Sequence, residues 1–182
     1  SSGFVFLTEK MNQKLNTRHK PYIVVEGLVD STEAGRQYDP DRHNDKFVCM
    51  YTGALHRRYG VADLVEAFTF DEMRNIELHV YGNGDYEKEL VQFAEQYSNI
   101  KYWGVVDNKT IVKRQKEASL LINPRPVDAE FAEYSFPSKN MEYMLSGTPV
   151  LTTDLPGMPE EYKKYVYILN ASNSRTIAER IK

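Results

Sequence analysis

Three loops of this chain that leave strand patterns have unusual composition, and two of them suit an anion. The first is Thr52-Gly53-Ala54-Leu55-His56-Arg57-Arg58-Tyr59-Gly60, where two glycines bracket a His-Arg-Arg cluster directly ahead of a helical pattern. Free backbone amides at a helix start, beside arginines, can meet an anion; taken alone, the same stretch is also a tight turn with a solvated basic edge. The second, Gly82-Asn83-Gly84-Asp85, is a Gly-x-Gly turn without a third glycine, because Glu87 stands three residues after Gly84. That absence argues against a nicotinamide-dependent oxidoreductase and for a plain strand-to-helix turn.

The third stretch is the longest. Asn123-Pro124-Arg125-Pro126-Val127-Asp128-Ala129-Glu130-Phe131-Ala132-Glu133-Tyr134-Ser135-Phe136 leads into Pro137. Strand-to-helix connections usually take about two to six residues, and longer ones are commonly functional. Pro137 suits the first helical position, with Ser135 or Phe136 near the cap. The amides of Ser138, Lys139 and Asn140 would then carry the positive end of the helix dipole, reinforced by the Lys139 ammonium. Glu142 lies four residues after Ser138 on the same face, where it can accept two hydroxyl hydrogen bonds from a sugar whose phosphates rest on that terminus. By itself Glu142 reads first as a surface glutamate. That reading weakens because Met141, Met144 and Leu145 already mark the buried stripe.

Other chemistry is thin. Asp39-Pro40-Asp41 has the Asp-x-Asp form of some metal–diphosphate sites, but it sits in a polar stretch rather than at a strand end. His19, His43, His56 and His79 are scattered without metal-ligand spacing, and His79 falls inside a strand pattern as a packed residue would. The single cysteine, Cys49, excludes an internal disulfide and a cysteine-based zinc site, and it fits a reducing compartment.

The elements that must position these loops follow from periodicity. Phe47-Val48-Cys49-Met50-Tyr51 is a continuous apolar run, the mark of a strand buried on both faces. Val61, Leu64, Val65 and Phe68 then recur as one helical stripe. Strands are predicted over 76–81, 100–103, 120–122, 149–151 and 165–169, with helices over 85–97, 110–118, 137–145 and from 174. Six strands separated mostly by single helices join as a parallel sheet with right-handed crossovers, which predicts a doubly wound α/β domain. Upstream, strands at 4–7 and 22–25 flank a helix at 9–16 with Thr8 as N-cap, and a polar stretch from Asp30 to Lys46 reads as a linker. Such a unit cannot bury both its faces alone. Residues 1–45 therefore read as the tail of a preceding domain plus a linker, and 46–182 as the main domain, stopping in mid-helix.

The chain has 182 residues, with 23 Lys and Arg against 26 Asp and Glu, giving a net charge of −3. A balance without basic excess speaks against nucleic acid as a partner. Apolar residues make up 41% and charged ones 27%, a globular composition. No apolar run is long enough to span a membrane, and Ser1-Ser2-Gly3 opens no signal peptide, so a cytoplasmic protein without a transmembrane segment is expected.

Tyr51-Thr-Gly-Ala-Leu, Tyr59-Gly-Val-Ala-Asp-Leu-Val-Glu-Ala-Phe, Leu78-His-Val-Tyr-Gly-Asn-Gly-Asp and, above all, the block from Phe136 to Leu151 resemble the C-terminal domain of family 4 (group 1) glycosyltransferases of the GT-B fold. The resemblance covers about residues 46–182, and it makes residues 1–45 similar to the end of the N-terminal acceptor domain. It implies a Rossmann-like domain that binds a nucleotide-diphosphate sugar, a UDP-sugar first among them. The sugar would pass with retained configuration to a saccharide or lipid-linked acceptor held by the absent domain. No cofactor and no metal are implied, the nucleotide sugar being a co-substrate, and the intact protein could work peripherally at the inner membrane face in polysaccharide synthesis. The isolated chain would be inactive. A non-catalytic nucleotide- or sugar-phosphate-binding module is the alternative.

Carried over residue by residue, Glu142 matches the family's ribose-binding glutamate. The backbone at Ser138 and Lys139, with Tyr134, Ser135 and Phe136 before it, matches the diphosphate cradle. Gly53 matches the first phosphate-side loop, Gly82 lines the cleft, and Val105 and Val106 match the segment that contacts the base. Glu133 and Lys139 are the implied catalytic residues. The family's first glutamate falls at Tyr134 with Glu133 one position off, so either fills that place. Its usual Arg and Lys fall at Ala54 and Tyr59, leaving Arg57 and Arg58 as the replacement cations to test.

Overall fold

A computed structural model of the chain describes residues 2–30, 32, 46–127, 134 and 138–182. Phe4–Phe6 (β1), Glu9–Leu15 (α1) and Tyr22–Val24 (β2) form a strand–helix–strand unit whose two strands pair in parallel. Thr8 caps α1 as expected, its hydroxyl accepting from the Met11 amide at 3.2 Å.

The main sheet is built from Phe47–Thr52 (β3), Ile76–Tyr81 (β4), Ile100–Tyr102 (β5), Leu120–Asn123 (β6), Val150–Thr153 (β7) and Tyr167–Leu169 (β8). Its helices are Val61–Ala67 (α2), Glu87–Gln96 (α3), Asn108–Glu117 (α4), Ser138–Leu145 (α5), Glu160–Lys163 (α6) and Ser174–Ile181 (α7). The six strands lie in the order β5-β4-β3-β6-β7-β8, and every neighbouring pair is parallel. This is a doubly wound α/β sheet of Rossmann type, and its order reverses between β3 and β6. Ligands of such sheets bind at the carboxyl ends of the strands at that reversal.

Period-two alternation divides the core. Cys49, Leu78, Val80, Leu120, Ile122 and Leu151 face one side with Leu64 and Val65 of α2, Leu90 of α3 and Ile177 of α7. Met50, Tyr81, Leu121 and Val150 face the other, against Tyr143 of α5 and Ile111 of α4. Side chains one residue apart on each strand thus reach opposite layers, which is why these strands read as unbroken apolar runs.

Several element limits differ from the predicted ones for local reasons. The Asp107 carboxylate accepts from the Thr110 amide at 2.9 Å, so α4 starts at Asn108 rather than Thr110. α3 starts at Glu87, because the Asp85 carboxylate is engaged by His56 and the Arg57 amide. Tyr165 closes a turn onto Tyr162 at the end of α6, so β8 starts only at Tyr167. His79 is partly buried, 3.0 Å from Glu77 and beside the Trp103 ring. Asp39-Pro40-Asp41, His43, most of the stretch read as a linker, and Pro137 lie outside the described residues.

Candidate functional site

Where the sheet order reverses, the loops after β3 and β6 and the first turns of α5 enclose a cleft of about 280 Å³. It is lined by Tyr51, Ala54, Tyr59, Asn123, Arg125, Ser138, Lys139 and Glu142. The β3 loop is tied down from its own strand: the Tyr51 hydroxyl donates to the Ala54 carbonyl at 2.9 Å. It is also laced to the loop after β4, since the Gly53 amide donates to the Tyr81 carbonyl at 3.0 Å and the Leu55 amide to that of Asn83 at 2.8 Å. Gly82, at φ 126°, packs so closely that a Cβ there would run into the Gly53 carbonyl, so the glycine is required for the approach.

Lys139 turns back along the cleft. Its ammonium donates to the Thr52 carbonyl and lies 5.5 Å from the Tyr51 ring and 5.7 Å from the Tyr143 ring. Burial depresses its pKa and the Arg125 guanidinium adds to that, while Glu142 opposes both. Tyr143, fully buried behind it, accepts from the Thr52 amide at 2.9 Å and so fixes the end of β3 to α5. Glu142, one turn along α5, is held by the buried Gln115 amide, which also reaches the Thr52 hydroxyl at 3.5 Å. The start of α5 is further located by a buried polar chain. Asn123 donates to Asn140 at 2.7 Å, and Asn140 donates to the Thr152 hydroxyl at 3.0 Å. Unpaired, such buried amides would each cost about 1–3 kcal/mol, so the network fixes how α5 sits on β6 and β7.

Of the residues named from sequence, Ser138, Lys139 and Glu142 meet in this cleft, and Gly53 and Gly82 shape its β3 side. Arg57 does not reach it. Its guanidinium is paired with Glu89 and lies 4.9 Å over the Tyr86 ring, on the side of α3. Arg58 lies 5.1 Å over the Tyr59 ring without lining the cleft. Val105 is exposed, whereas Val106 packs against the core beside Tyr81, both following the Gly104 turn that accepts the Gly82 amide at 2.8 Å. Tyr134 lies under the Lys14 ammonium, 4.1 Å from its ring centre, rather than in the cleft. Glu133, Ser135 and Phe136 lie outside the described residues.

Sequence reasoning did not single out Arg125, Gln115, Asn123 or the tyrosines Tyr51 and Tyr59. Asn123-Pro124-Arg125-Pro126 directly follows a strand, and that position was the available signal for Arg125. Gln115 offered none, because its partner Glu142 is remote in sequence. Among the described residues no cluster of His, Cys, Asp and Glu could hold a metal ion, and no helix is long and apolar enough to cross a membrane. The arrangement can hold an anion between cations and a helix start, with a carboxylate one turn away to receive hydroxyl groups.

The family model for glycosyl transferases group 1 matches residues 37–182. No curated protein matches the chain. Among solved structures, the C-terminal domain of a glycosyl transferase group 1 family protein (LpcC) from Francisella tularensis aligns with a TM-score of 0.67 at 18% identity, over 85% of this chain and 86% of that one. Sucrose-phosphate synthase from Thermosynechococcus elongatus aligns with a TM-score of 0.74 at 17% identity, over 98% of this chain and 48% of that one. Anabaena Alr3699/HepE, solved in complex with UDP-glucose, aligns with a TM-score of 0.66 at 16% identity, over 100% of this chain and 53% of that one. The chain thus spans about half the length of the last two. These likenesses are likenesses of fold.

Proposed function

Because the chain belongs to the group 1 glycosyl transferases, we propose that residues 46–182 are the donor-binding half of a retaining, family 4 hexosyltransferase. It takes a nucleotide-diphosphate sugar, a UDP-sugar in the first instance, and serves a saccharide or lipid-linked acceptor held by a domain to which residues 1–45 belong. In this reading the enzyme works at the cytoplasmic membrane face in polysaccharide synthesis, with neither a metal nor nucleic acid as partner.

One observation carries the reading: Lys139 and Glu142 stand one turn apart on α5 and line the same cleft at the reversal point of the sheet. As the bond from the anomeric carbon to the diphosphate breaks, negative charge grows on the departing nucleoside diphosphate. A preorganised ammonium and the amide-rich start of α5 stabilise that charge as it forms. The helix end contributes about 0.3–1 kcal/mol, up to about 2 when partly buried, so side-chain cations must supply the rest. Glu142, steadied by Gln115, accepts from the ribose hydroxyls, and Val105 and Val106 flank the base. Ser135 and Phe136 complete the cradle, and Glu133 fills the sugar-side acidic position, Tyr134 being engaged by Lys14 outside the cleft.

Calorimetric titration with UDP, GDP and ADP tests the site. One of them should bind, and Glu142→Ala should weaken it about tenfold or more, the loss of charge-assisted hydrogen bonds. In the intact two-domain enzyme the same substitution should abolish most transfer, whereas the 182-residue chain alone should transfer nothing. Nucleotide binding without transfer in the intact protein would favour the non-catalytic module, and no nucleotide binding at millimolar concentration would remove the reading.

A further inference from the structure

We infer that Gln115 of α4 is the positioning residue that makes the cleft selective for a ribonucleotide over its 2′-deoxy form. Its buried amide holds the Glu142 carboxylate in one orientation, ready for the paired hydroxyls of a ribose. The inference rests on the nucleotide-sugar reading above and names what that site selects.

Gln115 is the residue that α4 buries, 1% exposed, at a place where an apolar side chain ordinarily stands. A buried amide is tolerated only when hydrogen-bonded, and this one donates to the Glu142 carboxylate and reaches the Thr52 hydroxyl at 3.5 Å. A carboxylate can only accept, so the N–H side of the amide has to face Glu142. The backbone is fixed as well. The Gln115 carbonyl accepts from the Thr148 hydroxyl at 2.7 Å, and the Thr148 amide donates to the Ser146 hydroxyl at 3.1 Å. That hydroxyl donates in turn to the Tyr143 carbonyl at 2.7 Å. Donor and carboxylate are therefore held at both ends, α4 being tied to the turn that closes α5.

A glutamate without such a partner explores several rotamers, and binding must then select one. Held by Gln115, Glu142 lines the cleft already ordered, and its contact is made without that entropic loss. A carboxylate offers about four lone-pair sites; the amide takes one, and the others can receive two neighbouring hydroxyls. A nucleotide lacking the 2′-hydroxyl forfeits one of those bonds, and a carboxylate that cannot turn has no second way to recover it. Selectivity thus comes from the orientation that α4 imposes, beyond the charge that α5 carries.

The test is titration of the 182-residue chain with UDP, GDP and ADP and with their 2′-deoxy forms. For the base that binds, the wild type should prefer the ribonucleotide by about 10- to 100-fold, the range of a hydrogen bond to a charged group. Gln115→Leu should bring that preference below about threefold, weakening the ribonucleotide and leaving the deoxy form nearly unchanged. Gln115→Met, unbranched and closer in shape, should do the same, and the retained deoxy affinity of either variant shows that the cleft is intact. In the Glu142→Ala background Gln115→Leu should have no further effect, because it acts through that carboxylate. Equal weakening of both nucleotides, or additive losses in the double variant, would overturn the inference and leave the nucleotide site standing. So would a wild type that binds both forms alike. If the wild type binds no nucleotide, it is the underlying reading that fails.

Discussion

At the scale of single residues, the proposed chemistry turns on one buried ammonium. Burial and the nearby Arg125 push the Lys139 pKa below the ordinary 10.5 of lysine. In the unfolded chain the amine keeps its proton up to that value, so between the depressed pKa and 10.5 the unfolded state binds more protons. Stability therefore rises with pH through that window, and the cost of a charged Lys139 is felt below it. A bound diphosphate reverses the preference by restoring the ammonium. Binding should then take up a fraction of a proton, and affinity should fall as pH climbs into the window. Titration over a series of pH values below 10.5, in buffers of different ionisation enthalpy, measures this uptake. Lys139→Met should abolish the uptake and bind more weakly; an unchanged uptake in that variant would assign the proton to another group. Lys139 and Glu142 were legible from sequence because a helix fixes which neighbours share a face. Arg57 was misleading because its partner Glu89 comes from α3, brought close only by the fold.

At the scale of elements, the cleft depends on how closely the strand ends approach one another. Gly53, Gly82 and Gly104 follow β3, β4 and β5 and are joined by backbone hydrogen bonds from one loop to the next. At Gly82 a side chain meets both an unfavourable φ of 126° and the Gly53 carbonyl, whereas at Gly104, φ 66°, nothing lies within 4 Å of a Cβ. Gly82→Ala should therefore cost about 1–3 kcal/mol and shift the Gly53 loop, weakening nucleotide binding, while Gly104→Ala should cost only about 1–2 kcal/mol with affinity kept. Urea denaturation and the same titrations separate the two; equal effects would mean that the loops do not move as one. The strands themselves were readable, because burial on both faces leaves an uninterrupted apolar run. α6 was not, since four residues carry no stripe. The start of α4 was misplaced by weighing Ile111 and Val112 above the Asp107 cap. The six strands in sequence did not disclose their spatial order, and that order is what puts the β3 and β6 loops side by side.

At the scale of the molecule, the two parts of the chain differ in how they bury apolar surface. Among the described residues of 46–182 the strands bring side chains into a core on each face of the sheet. Among residues 2–30 only Phe6, Thr8 and Asn16 are buried, while Val5 is 70% exposed, Ile23 58% and Leu28 91%. Phe6 and Tyr22 pair their rings, and Glu9 receives the Tyr22 hydroxyl at 2.9 Å, but these contacts stay within the small unit. Among the described residues it meets the main domain where Gly27 lies against Met141, where the Lys14 ammonium lies over the Tyr134 ring, and where Leu7, Thr8, Val24 and Glu26 share a cleft with Pro156, Gly157, Met158 and Pro159. Exposed apolar groups on that scale favour association over solvation. A chain of residues 46–182 should thus melt within about 4 °C of the 182-residue chain, a difference of about 1 kcal/mol. It should bind the same nucleoside diphosphate with unchanged affinity, and it should stay monomeric in sedimentation at concentrations where the longer chain associates. A large loss of stability or affinity on truncation would instead make the first strand–helix–strand unit part of the structure that holds the cleft, and the donor half could no longer be drawn at residue 46.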